Sequence, residues 1–131
     1  SQTLEPCPHS PNCVSSQSRD PSHHIQPIRF SIASDKAWHT WKELIQAQRN
    51  LVTFDADRLH LKAIFATPIF RFKDQVTCLL DLESRIIHVR SASNLGYWDL
   101  GVNRRRIENL RSAFDQEIKG QHAISRQQKF W

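Results

Sequence analysis

Two hydrophobic periods alternate along this chain, and the places where one yields to the other divide it into elements. Residues 25–32 alternate partly and predict a first strand, held to an edge or a bend by Pro27. Ser34 suits a helix N-cap, and Trp38, Trp41, Leu44, Ile45 and Gln48 follow at helical spacing, predicting an amphipathic helix over about 35–49. From Leu51 the period becomes two. Val52 and Phe54 share one face; after a polar turn at 55–58, Leu59, Leu61, Ala63 and Phe65 line one side while His60 and Lys62 take the other. Thr67-Pro68 interrupts the run. Phe70 and Phe72 then open a third strand region, Val76, Cys78, Leu80 and Leu82 alternate against Thr77 and Asp81, and Glu83-Ser84-Arg85 turns the chain into 86–93.

The clearest helix comes last, with Ile107, Leu110, Phe114 and Ile118 on one stripe and Gly120 as a C-terminal stop. Asn103 fits its N-cap, with Val102 and Ile107 placed as a hydrophobic staple. The pattern is an α+β fold: a curved antiparallel sheet of about five strands with two main helices, the last gripped by the sheet in the manner of helix-grip folds. Residues 1–26, with Pro6, Pro8, Pro11 and Pro21, form an irregular arm packed on the core. Residues 27–120 form one domain, and 121–131 a tail, mobile or docked through Phe130 and Trp131.

Composition adds bounds. A chain of 131 residues is the size of one domain and buries roughly two-thirds of its unfolded surface, so neither metal nor disulfide is needed for folding. Hydrophobic residues at 39% and charged residues at 24%, with mixed signs, exclude a disordered polyelectrolyte. No apolar run approaches the roughly 20 residues that span a bilayer. The chain holds no methionine, so Ser1 is expected to follow a cleavage or cloning boundary, with any leader or membrane anchor upstream. The net charge of +5 favours anionic partners, yet the basic residues are dispersed and no nucleic-acid module accompanies them; nucleic acid is not an expected partner.

Candidate chemistry concentrates where the last strand meets the last helix. Residues 90–106 bring together two glycines, an acid, amides and four arginines. Arg104, Arg105 and Arg106 sit where the helix macrodipole disfavours cations, so something should compensate them. In one reading Arg104 and Arg106 pair with Asp99, Asp81 or Glu83 and pin the loop. In another, the helix amides, the guanidinium groups and the hydroxyls of Ser91 and Ser93 form a site for a carboxylate or phosphate. Gly96 and Gly101 suit either. Cys7 and Cys13, six positions apart, can close a disulfide in an oxidising compartment, remain free thiols, or with His9, His23 and His24 suggest zinc, although the spacing matches no standard metal site. No metal and no cofactor is expected. Cys78 falls on an apolar strand face, and His39, His60, His88 and His122 are scattered. A Ser91-His88-Asp99 set fails because positions 88 and 91 project from opposite faces of a strand.

Three segments together resemble the bacterial and plastid family known as domain of unknown function 1499. They are the Cys-Pro-His-Ser-Pro-Asn-Cys-Val-Ser-Ser-Gln run from Cys7, the Phe-Arg-Phe-Lys-Asp run from Phe70, and the stretch from Arg90 through Ile107. The resemblance covers roughly 6–118, with Asn94 and Trp98 departing from the family's pattern. It implies an exported or membrane-tethered protein and supports the disulfide, but it carries no established activity. The expected function is therefore a non-enzymatic extracytoplasmic domain that binds a small anionic or amphipathic ligand, or a partner protein, through Arg90, Ser91, Ser93, Tyr97, Asp99, Asn103, Arg104 and Arg106. An enzyme at the same junction, with Asp99 or His88 titrating near neutrality, and a purely structural lock are the alternatives.

Overall fold

A computed structural model describes residues 3–128, with side chains through 121. Six strands and two helices follow in the order β1 (Cys13–Ser15), β2 (Ile28–Arg29), α1 (Ser34–Gln46), β3 (Leu51–Ala56), β4 (His60–Ala66), β5 (Lys73–Asp81), β6 (Ile86–Ser93) and α2 (Val102–Gln128). The sheet order is β1-β6-β5-β4-β3, with β2 also paired to β6, and every named strand pair is antiparallel. This is the α+β fold that the change of period implies. Both helices supply the core with the inward strand positions Leu61, Ala63, Phe65, Val76, Cys78, Ile87 and Val89.

Trp41 is fully buried, meets the Phe114 ring edge-on at 5.9 Å between centroids, and donates its indole N–H to Cys78 Sγ at 3.3 Å. One contact set thus joins α1, α2 and the sheet. Burial pushes the Cys78 thiol up to about 12, only partly offset by the indole.

Several elements depart from the sequence pattern for identifiable reasons. The arm is not wholly irregular: β1 pairs with β6, and Val14 and Ile25 enter the core. The strand expected over 25–32 shrinks to β2, because Pro27 has no N–H to offer and Arg111 captures the carbonyls of Gln26 and Pro27 at 2.6 and 2.8 Å. Ser34 is the first residue of α1 rather than its cap; Ala33 precedes it and no side chain caps the helix. The helix also ends earlier than expected, where Gln48 folds back to donate to Leu44 O at 2.9 Å.

In β3 a register shift between Leu51 and Thr53 breaks the period of two, so Val52 is turned outward while Leu51 and Phe54 pack on the core. Leu82 is likewise exposed, lying beyond the end of β5. Gly120 does not stop α2, which continues to Gln128: a helical glycine costs only about 1 kcal/mol, and no proline follows to break the run. The expected docking of Phe130 and Trp131 lies outside the described residues.

Candidate functional site

The turn before α2 is fixed by one carboxylate. Asp99 accepts from the backbone N–H groups of Gly101 (2.8 Å, Oδ1) and Asn103 (3.1 Å, Oδ2), while its carbonyl accepts from Val102 N. Asp99, not Asn103, therefore caps the helix, and its negative charge faces the positive end of the macrodipole. Burial pushes its carboxyl up, but the hydrogen bonds from Asn103 and Gly101 outweigh this and hold it below the usual carboxylate range. Gly101 follows at a φ of 77°, where an added Cβ would lie 3.0 Å from Arg105 Nη1.

Freed from capping, the Asn103 side chain becomes the fully buried hub of the junction. Its Nδ2 lies within 2.8 Å of Asp99 Oδ2, 2.9 Å of Ser93 Oγ and 3.2 Å of Asn12 O, three acceptors for two N–H bonds. Its Oδ1 accepts from Ser91 Oγ at 2.7 Å and from Arg106 Nη1 at 2.8 Å. Asn12, itself buried in the arm, donates to Gly96 O at 2.7 Å. The arm, β6, the loop and α2 are thereby tied together without an external group.

The arginines find partners other than those expected from sequence. Arg106 pairs with Asp74, at 2.6 Å, rather than with Asp99, Asp81 or Glu83, and its guanidinium stacks 5.1 Å over the Phe65 ring. Arg104 donates to the carbonyls of His24 (2.9 Å) and Ser22 (3.4 Å), and Arg105 to that of Leu100 at 2.8 Å. Carbonyls suffice because the chain reverses so close to the helix start that loop and arm oxygens point at it. Arg90 lies on the other face of β6, under the arm, where it is 6% exposed and reaches Pro6 O at 3.3 Å with its Nε unpaired. Burial lowers its pKa, with Glu5 acting in the opposite sense.

Asp74, part of the run that carries the family resemblance, is not among the site residues expected from sequence, although position 74 shares the inward phase of Val76, Cys78 and Leu80. A carboxylate in that phase was the available signal. It is 1% exposed, and while Oδ2 is held by Arg106, Oδ1 has no hydrogen-bond partner. Asp74 lines a cavity of 470 Å³ between the 67–72 turn and the 94–101 loop, together with Ser93, Asp99 and the apolar side chains of Phe70, Phe72, Leu95, Trp98, Leu100 and Val102. Phe70 and Phe72 do not begin a strand. The Thr67 hydroxyl accepts from Phe72 N at 2.9 Å and its N–H donates to Phe72 O at 2.7 Å, closing a turn that holds Ile69 and Arg71 at positive φ. Tyr97 stays exposed beside the cavity, edge-on to Trp98 at 5.5 Å.

On the arm side, Cys7 and Cys13 form a disulfide. His88 contacts Ser16 Oγ at 3.0 Å, not Ser91, and burial lowers its pKa against an opposing pull from Asp81. Neither Asp99 nor His88 is shifted toward the role of a base or acid poised at neutrality. Among the described residues no group of three or more His, Cys, Asp or Glu side chains could hold a metal, and no helix is long and apolar enough to cross a membrane.

The family model described as "Protein of unknown function (DUF1499)" matches residues 3–114. No curated protein and no solved structure matches the chain.

Proposed function

This chain belongs to the DUF1499 family of proteins of unknown function, and from its own geometry we propose that it is a binding domain for an amphipathic small molecule held between the 67–72 turn and the 94–101 loop. The observation that carries the reading is Asp74. A buried carboxylate oxygen without a donor costs stability, and the residue that carries it lines a cavity walled by aromatic and aliphatic side chains. The ligand is therefore an apolar body bearing a hydroxyl or ammonium donor. Pockets that are mostly apolar with a few placed polar groups are the usual form of small-molecule sites.

Of the two ligand classes expected from sequence, the amphipathic one fits better than the anionic one. Arg104, Arg105 and Arg106 are engaged with carbonyls, Asn103, Ser91 and Asp74, and the charge at the cavity floor is that of a carboxylate. The Asn103 network acts as the frame that holds the loop in place. The Cys7–Cys13 disulfide supports a setting outside the reducing cytoplasm.

Titration calorimetry with dodecylamine and dodecanoate below their micelle-forming concentrations and dodecanol below its solubility limit tests the reading. Dodecylamine and dodecanol are expected to bind, dodecanoate at least about tenfold more weakly because it brings a like charge to Asp74. Phe72→Ser and Trp98→Ser should each weaken the amine. Equal binding of all three probes, or binding indifferent to both substitutions, would overturn it.

A further inference from the structure

Seven of the nine exposed large hydrophobic side chains of the described residues lie on the two segments that flank the cavity: Ile69, Phe70, Phe72, Leu95, Tyr97, Trp98 and Leu100. The cavity walls account for only part of this surface. Ile69 and Tyr97, 90% and 59% exposed, do not line it and project beside its mouth. Apolar exposure concentrated in this way marks an interaction surface.

Charge at this end is one-sided. Arg71, Lys73, Arg104 and Arg105 are exposed there. The acids beside them are Asp74, buried and paired with Arg106, and Asp99, whose carboxylate is engaged in capping α2, so neither presents its charge on the surface. At the far end of the sheet Asp55 and Asp81 lie in the last residues of strand before the β3–β4 and β5–β6 connections, and Asp57 and Glu83 lie on those connections.

We infer that these two loops dock on an anionic lipid bilayer, and that the bilayer is the source of the amphipath. The inference rests on the cavity being a ligand site, as proposed above, and names where that ligand comes from. Tyr and Trp favour the interfacial zone of a bilayer, where an apolar ring and a polar edge are both accommodated. Basic side chains beside them add attraction to anionic headgroups. A cavity that opens among such side chains can receive an amphipath without carrying its apolar part through water.

Flotation of the full chain with vesicles tests this. Wild type is expected to float with vesicles of equal parts phosphatidylcholine and phosphatidylglycerol, and at least about tenfold less with phosphatidylcholine alone. The double variant Ile69→Asn, Tyr97→Ser should lose most of the flotation while still binding dodecylamine, because neither residue lines the cavity. Asparagine also tolerates the positive φ at 69, so the fold is spared. Arg71→Glu should weaken flotation by a similar factor, and more at low salt than at high salt. No flotation of wild type, or flotation that the double variant and Arg71→Glu leave unchanged, overturns the docking. If dodecylamine binds and vesicles do not, the docking alone fails; if vesicles bind and dodecylamine does not, the docking stands and the cavity reading fails. Capture of a protein through these loops in the absence of vesicle binding also overturns it.

Discussion

Asp74 Oδ2 accepts a 2.6 Å hydrogen bond from Arg106 Nη2, joining the start of β5, beside the cavity, to the N-terminal part of α2. The two residues are 32 positions apart and share no element, so the pair fixes how the helix start seats on the sheet.

Breaking this pair by removing one partner leaves a buried charge uncompensated, which costs about 3–5 kcal/mol. Arg106→Ala is accordingly expected to be severely destabilising, and Asp74→Ala to cost less, because it also removes the unpaired Oδ1. Urea denaturation of both variants checks the order; a cheaper Arg106→Ala would contradict it.

Asp99→Ala should cost about 0.5–2 kcal/mol through loss of the helix cap. The sign of the pH dependence follows from its lowered pKa. The group contributes stability above its unfolded value near 3.8 and loses that contribution as pH falls through the lower folded value. The stability gap between wild type and Asp99→Asn should therefore be constant near neutrality and shrink in acid below about pH 4. Melting curves across that window measure it.

Gly101→Ala should destabilise by about 1–2 kcal/mol, since it places a Cβ at positive φ and against the Arg105 guanidinium. In an Arg105→Ala background the contact is gone but the backbone strain is not. A double-mutant cycle should recover only part of the loss.

Non-reduced protein should present one reactive thiol, Cys78, and only after unfolding, because that thiol is buried and its pKa is raised. Replacing Cys7 and Cys13 together by serine should lower stability by about 2 kcal/mol, the scale for so short a loop. Thiol titration under denaturation and urea unfolding check the two statements separately.

Legibility in the sequence followed locality. β4 and most of β5 were visible because they alternate in phase with one buried face, β6 because the Glu83-Ser84-Arg85 turn leads into it, and α2 because Ile107, Leu110 and Phe114 keep one stripe. The bulge in β3 was not, since Leu51-Val52-Thr53 carries no Gly or Pro to announce an extra residue. At the junction the partners expected for Arg104 and Arg106, Asp99, Asp81 or Glu83, are not the ones they take. Asp99 and Asn103 are both good caps, and which one serves depends on whether Asn103 is needed inside by Ser91, Ser93 and Asn12, a matter of tertiary placement. Asp74 was missed for the same reason: its partner lies on an element that pattern alone cannot bring near it.

The tie between Asn12 and Asn103 spans 91 positions, which sets an order of events during synthesis. At about 5–20 residues per second, the arm waits roughly 5–20 seconds before the helix that secures it has been made. Its Cys7–Cys13 loop needs nothing from the rest of the chain, so once in an oxidising setting it can close before β1 joins β6. The arm is thus fastened late, and until β1 pairs, the edge of β6 that it covers stands open to strands of other chains.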